Sequence, residues 1–187
     1  MKAKRPARIV LAGASVLALA ACQEETTEAS VFRNQGVCEN AGVDPATCAA
    51  AFETAQAEHE ETAPRYDAQA VCEEQHGAGN CVAEEQAGGG GSIFMPLMMG
   101  YLLGSALGGG LRSRPLVGGG QGGGFRTTDG RVATNGLNGR TSVRSGAFNA
   151  TPASTRNAAP LTRSTVARSG GFGAARTGGG RVGGFGG

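Results

Sequence analysis

"SIFMPLMMGYLLGSALGGG", residues 92–110, is the stretch on which the fold turns. No charge occurs from Gln86 to Leu111, so the segment reads first as a membrane span. Its mostly apolar part, "IFMPLMMGYLLGSAL", is bounded by glycine runs and falls short of the roughly twenty residues a bilayer demands. Pro96 removes a backbone donor near its start. Beyond it, Gly100, Gly104 and Gly108 recur every fourth residue, which on a helix makes a smooth groove for a second helix. The spacing therefore predicts a short apolar Gly-rich helix over residues 93–111. Met95, Pro96, Leu97, Met98, Gly100, Tyr101, Gly104 and Gly108 are its interaction strip. Such a helix packs on the rest of the protein as core, or it serves membrane-surface insertion, an envelope partner or self-association.

Upstream, the chain opens with an export signal. Lys2, Lys4, Arg5 and Arg8 precede the apolar run "IVLAGASVLALA" from Ile9 to Ala20, too short for a spanning helix. "LAAC", Leu19 to Cys22, matches the lipobox of bacterial lipoproteins. In that class the Cys22 thiol takes diacylglycerol, the chain is cut before it, and the new amine is acylated. Residues 1–21 are then signal peptide and 22–30 a lipidated linker. Acyl chains contribute about 0.8 kcal/mol per buried methylene, so several of them hold firmly. Gln23 stands where an aspartate would retain the protein at the inner membrane, which favours the periplasmic face of the outer membrane.

The remaining composition argues against one large core. The chain has no Trp and two Tyr, and 29 of its 34 glycines lie after residue 87. Charge is polarised: residues 23–87 hold 14 acids against Arg33 and Arg65, while 88–187 hold 11 arginines against Asp129. The two halves either attract each other or bind different partners.

Setting Cys22 aside leaves Cys38, Cys48, Cys72 and Cys81, an even set suited to an oxidising compartment. Four cysteines permit three pairings, and spacing alone does not choose among them. "FRNQGVCE" (32–39) and "YDAQAVCE" (66–73) align without a gap, and each is followed by a second cysteine. If one unit was duplicated, each closes its own loop, as Cys38–Cys48 and Cys72–Cys81. Loops this short contribute somewhat under about 3 kcal/mol each. Zinc prefers close Cys pairs, and a redox dithiol needs Cys-x-x-Cys; neither pattern occurs, so no metal site is expected.

Between the units, Asp44 is placed as N-cap, Pro45 at the first helical position and Pro64 as terminator. Cys48, Phe52, Ala55 and His59 fall on one face. His59 reads as a face residue and His76 as a turn residue without a visible partner, so no catalytic constellation, cofactor signature or small-molecule substrate is indicated.

From Gly118 onward Arg, Gly, Ser, Thr and scattered Phe give low complexity, for which disorder is the expectation. Arg-Gly-Phe composition also suits polyanions, here lipopolysaccharide, peptidoglycan or nucleic acid. The fold expected is thus a small disulfide-stapled, mainly α region (31–86, acidic, cysteine-rich, duplicated), a Gly linker (87–92), the apolar helix (93–111), and a disordered Arg/Gly-rich tail (112–187).

The lipobox, the paired cysteines around "ETAPRYDAQAVCEE", the strip "FMPLMMGYLLG" and the "GGFG"-bearing tail together resemble the YgiB-type family of bacterial envelope lipoproteins. The likeness covers residues 31–110 well and the tail by composition. It implies location and architecture, and no activity. The expected function is a non-enzymatic envelope lipoprotein with a structural or interaction role; the alternative is a polyanion-binding module acting through the tail.

Intact mass of protein extracted from bacterial membranes tests the assignment of the five cysteines. A chain beginning at acylated Cys22 and taking up no thiol alkylator after denaturation is expected. A full-length chain with free thiols would refute it.

Overall fold

The computed structural model describes residues 26–85, 91–106, 109–120 and 123–172. The signal segment and Cys22 lie outside the described residues, as do Gly108 and the end of the tail.

The chain is a mixed α/β protein dominated by antiparallel sheet, which corrects the expectation of a mainly α region. β1 (Thr26–Phe32) leads into α1 (Gln35–Asn40), α2 (Pro45–Thr62), α3 (Gln69–His76) and β2 (Cys81–Glu85). Then come β3 (Ser92–Pro96), β4 (Gly100–Ser105), β5 (Leu111–Gly118), β6 (Phe125–Thr127), β7 (Ala133–Thr134), β8 (Gly139–Arg144) and α4 (Arg163–Ser169). Six strands form one sheet in the order β7-β6-β5-β4-β1-β8, and β2 pairs with β3 separately.

The apolar stretch is not a helix. It forms β3, a short connection and β4, and β4 then hairpins into β5 with Ser105 opposite Leu111. β4 sits between β1 and β5 with both faces covered, so it reads as a continuous apolar run instead of an alternating one. Its side chains still divide by parity. Tyr101 and Leu103 join Phe32, Cys38, Cys48, Ala51 and Ala55 on the helical side. Leu102 joins Ala29, Val31, Leu116, Val143 and Phe148 on the other. The glycines that suggested a helical groove answer a different need. A Cβ on Gly100 would come within 2.6 Å of the Phe32 carbonyl, and one on Gly104 would collide with the Phe148 ring. Glycine in a strand interior marks such close approaches.

The tail is also corrected. Residues expected to be disordered supply β5 to β8 and α4. β8 pairs along β1, from Thr26 opposite Arg144 to Val31 opposite Gly139. Low local complexity gives no helical or strand period to read; the order comes from a partner strand more than a hundred residues away. Opposite charge adds to it. Arg156 pairs with Glu61 at 3.6 Å and Arg163 with Glu74 at 2.6 Å, each exposed and so worth little alone.

Local signals worked best in the helices. Asp44 caps α2 by accepting from the Thr47 N–H at 2.9 Å, Pro45 opens it, and it ends at Thr62 before Pro64. Cys48, Ala51, Ala55, His59 and Thr62 form its buried face. α1 and α3 both begin at the glutamine of the repeat. The disulfides are Cys38–Cys48, joining α1 to α2, and Cys72–Cys81, joining α3 to β2. The units therefore diverge after their first helix, one continuing into a helix and the other into a strand. No helix of the described residues is long and apolar enough to cross a membrane.

Gly104→Ala should destabilise the fold by about 1–3 kcal/mol, because the added methyl would overlap the ring of buried Phe148 and force it to shift. Thermal unfolding of Gly104→Ala, Phe148→Leu and the double variant checks it. The double variant should cost less than the sum of the two.

Candidate functional site

The described residues gather polar chemistry in three places. The first centres on Arg114 in β5, which is 3% exposed. Its Nε donates to Glu58 Oε1 of α2 at 2.6 Å, its Nη2 to Asp129 Oδ2 at 3.0 Å, and its Nη1 to the Ala147 carbonyl. Burial pushes the Glu58 carboxyl above its usual range, more than Arg114 pulls it down, and the Asp129 charge adds to the rise. Asp129 is also raised by burial, but the Thr127 hydroxyl, Arg114 and the Arg131 N–H together outweigh that and hold it low. Beside the triad, the Thr62 and Thr128 hydroxyls meet at 2.6 Å. This is an ion network linking helix, sheet and turn, with the guanidinium buried and all three of its nitrogens engaged within the protein.

The second cluster is built around His76 at the end of α3, 1% exposed. Nδ1 lies 2.9 Å from the Gly118 carbonyl, which only accepts, so Nδ1 carries the proton. Nε2 therefore accepts from the Tyr66 hydroxyl at 2.8 Å. The Phe172 ring covers the imidazole at 4.4 Å between centroids, and the Phe172 N–H donates to Gln75. Burial lowers His76 to about 4 and raises Tyr66 above its ordinary range. A neutral, enclosed imidazole at pH 7 with both nitrogens engaged is a packing joint. His59 is held likewise: Nε2–H donates to the Pro96 carbonyl at 2.9 Å, and burial lowers its pKa.

The third place is a cleft of about 320 Å³ bordered by Arg65, Glu84, Glu85, Ile93, Arg156 and Asn157. Arg65 is buried at its floor. Its Nη1 donates to the Ala63 carbonyl and Thr155 hydroxyl and its Nη2 to the Glu60 carbonyl, completing the C-terminal end of α2. Its Nε stands 3.4 Å from Glu84 Oε2, close enough for charge attraction though not hydrogen-bonded. Two acids and two arginines line it, so the cleft offers neither a single-sign field nor a nucleophile beside a base. Among the described residues no group of three or more His, Cys, Asp or Glu could hold a metal ion.

The strip residues are dispersed by the sheet. Pro96, Gly100, Tyr101 and Gly104 are buried, Met95 and Met98 half-buried, and Leu97 exposed. Tyr101, packed against Phe32 and Phe52, keeps its hydroxyl buried without a hydrogen-bond partner among the described residues. Of the residues that matter structurally, Arg114 and Phe172 are not singled out in the sequence, and Tyr66 is marked only as the first residue of the second repeat. Their partners lie from ten residues away, for Tyr66 and His76, to 97, for Phe172 and Gln75, and only the charge asymmetry hinted that tail arginines would find head carboxylates.

A disulfide-stapled antiparallel sheet, backed by helices and sealed by buried ion pairs, defines a small mixed α/β protein. Residues 26–183 match the family described as a protein of unknown function (DUF1190), and the chain belongs to that family. It is similar to a UPF0441 protein of Erwinia tasmaniensis, 36% identical over 121 residues, covering 58% of this chain and 54% of the relative. A UPF0441 protein of Klebsiella pneumoniae matches to the same extent. One of Sodalis glossinidius is 32% identical over 123 residues, 62% of this chain and 57% of its own. The chain thus spans about half the length of the curated relatives it matches. No solved structure matches.

His76 makes stability depend on pH. Its folded pKa, about 4, lies below the unfolded value near 6.5, so protonation favours unfolding. The stability present above pH 6.5 is lost as pH falls towards 4, by about 1.5 kcal/mol between pH 6.5 and 5. Denaturant unfolding of wild type and His76→Phe at both pH values checks it. The difference in slope isolates His76, since His59 and Glu58 titrate in both proteins.

Proposed function

We propose that the protein is a non-enzymatic lipoprotein of the bacterial envelope, a folded body held at the membrane by lipid on Cys22. The observation that carries this reading is the cysteine arithmetic. All four described cysteines are consumed in disulfides, which leaves the cysteine of "LAAC" as the odd one. Two disulfides also suit an oxidising compartment. The resemblance to YgiB-type lipoproteins and the retention-free Gln23 agree with an outer-membrane address. The role is structural or protein-interacting: His59 and His76, the residues able to act near neutral pH, are enclosed and occupied. The polyanion reading draws little support, since Arg114, Arg156 and Arg163 of the tail half are spent on the protein's own carboxylates.

Cys22→Ser should move the protein from the membrane fraction to the soluble periplasmic fraction while both disulfides still form. Fractionation with thiol alkylation reads both properties at once. Unchanged membrane association of the variant would sink the lipid-anchor reading.

A further inference from the structure

Asn135 and Asn138 are each followed by glycine, and both are exposed in the connection between β7 and β8. Glycine has no Cβ to shield its amide nitrogen, so that nitrogen is free to attack the carboxamide carbon of the asparagine before it. The sequence treats the two pairs alike, and the fold does not. Gly139 opens β8, where it stands opposite Val31 of β1. Turning its nitrogen onto the Asn138 side chain needs rotation of the joining peptide, which lifts Gly139 out of that ladder. Gly136 lies outside the strands. Its N–H reaches the Thr134 hydroxyl at 3.5 Å, longer than an ordinary N–H···O bond. Among the described residues nothing comes within 4 Å of a Cβ built on Gly136.

We infer that Asn135 is a deamidation site of the folded protein and that pairing of β8 protects Asn138. The Gly136 nitrogen forms a bond to Asn135 Cγ and gives up its proton, and the carboxamide nitrogen leaves as ammonia. The product is a succinimide ring. Water opens that ring at either carbonyl, giving aspartate or isoaspartate. Water enters, ammonia leaves, and nothing is oxidised or reduced. Either product places a carboxylate where an uncharged side chain stood. Isoaspartate also adds one backbone atom between β7 and β8, two residues ahead of Leu137, which is buried in the core with Val132 and Phe148. Conversion therefore alters the path of the chain as well as its charge.

Purified protein with its disulfides intact is held at mildly alkaline pH, beside a sample reduced and unfolded in urea. Trypsin, cutting after Arg131 and Arg140, releases one peptide that carries both asparagines, and fragment masses assign conversion to one or the other. In the unfolded sample both positions should convert at similar rates. In the folded sample Asn135 should convert, and Asn138 at least about tenfold more slowly, because its reaction awaits local opening of β8. Gly136→Ala puts a methyl into open space and crowds the attacking nitrogen, so it should suppress conversion of Asn135 in the folded protein. Three results overturn the assignment: Asn138 converting as fast as Asn135 in the folded protein, Asn135 unconverted there, or conversion undiminished in Gly136→Ala.

Discussion

Arg114 is the joint on which the two halves of this chain meet. Its guanidinium is buried where β5 passes under α2, and it reaches a carboxylate of the acidic head, the carboxylate of the β6–β7 turn and the Ala147 carbonyl. A buried cation is costly unless its donors are occupied and its charge balanced. Here both conditions are met only if helix, sheet, turn and the segment after β8 are all in place. The network thus makes the arrangement of the elements conditional on one another. Its net contribution to stability is a separate matter, because burial raises Glu58 even beside Arg114.

The disulfides work at shorter range. Each closes a loop of about ten residues and fixes a helix to its successor, α1 to α2 and α3 to β2. Around the second, Tyr66, Val71 and Val166 make a small core of their own, so α4 from the tail closes over a unit of the head. The backbone repeats this return: the Leu161 N–H donates to the Arg65 carbonyl and the Asp67 N–H to the Leu161 carbonyl. His76, with Phe172 over it, lies at the seam. A chain poor in large apolar residues builds its body from three modest clusters, and the segments between them are held by staples and ion pairs.

Sequence reading succeeded where the cause was local. The cap at Asp44, the first-turn Pro45 and the stop before Pro64 act within a few residues, and α2 follows them. The strip of residues 93–111 failed for an instructive reason. Glycine every fourth residue is compatible with a helical groove and with a strand whose neighbours press close. Which applies depends on whether Phe32 and Phe148 arrive. Burial on both faces erased the alternation that would have marked β4 as a strand. The tail was illegible because its strands are defined by their partners, β5 by β4 and β8 by β1, and not by their own composition.

What the sequence by itself determined is the set of local instructions: the boundaries of α2, the repeat that carries the cysteines, the charge split, and the "LAAC" stretch ahead of the folded body. Only the tertiary structure decided that the apolar strip is a sheet interior and that the arginine-rich half folds back on the acidic half. It also decided that His76 is sealed by Tyr66, Gly118 and Phe172. Each of these rests on contacts between residues far apart in the chain, whose energies exist only once the elements are brought together, and no window of neighbouring residues contains them.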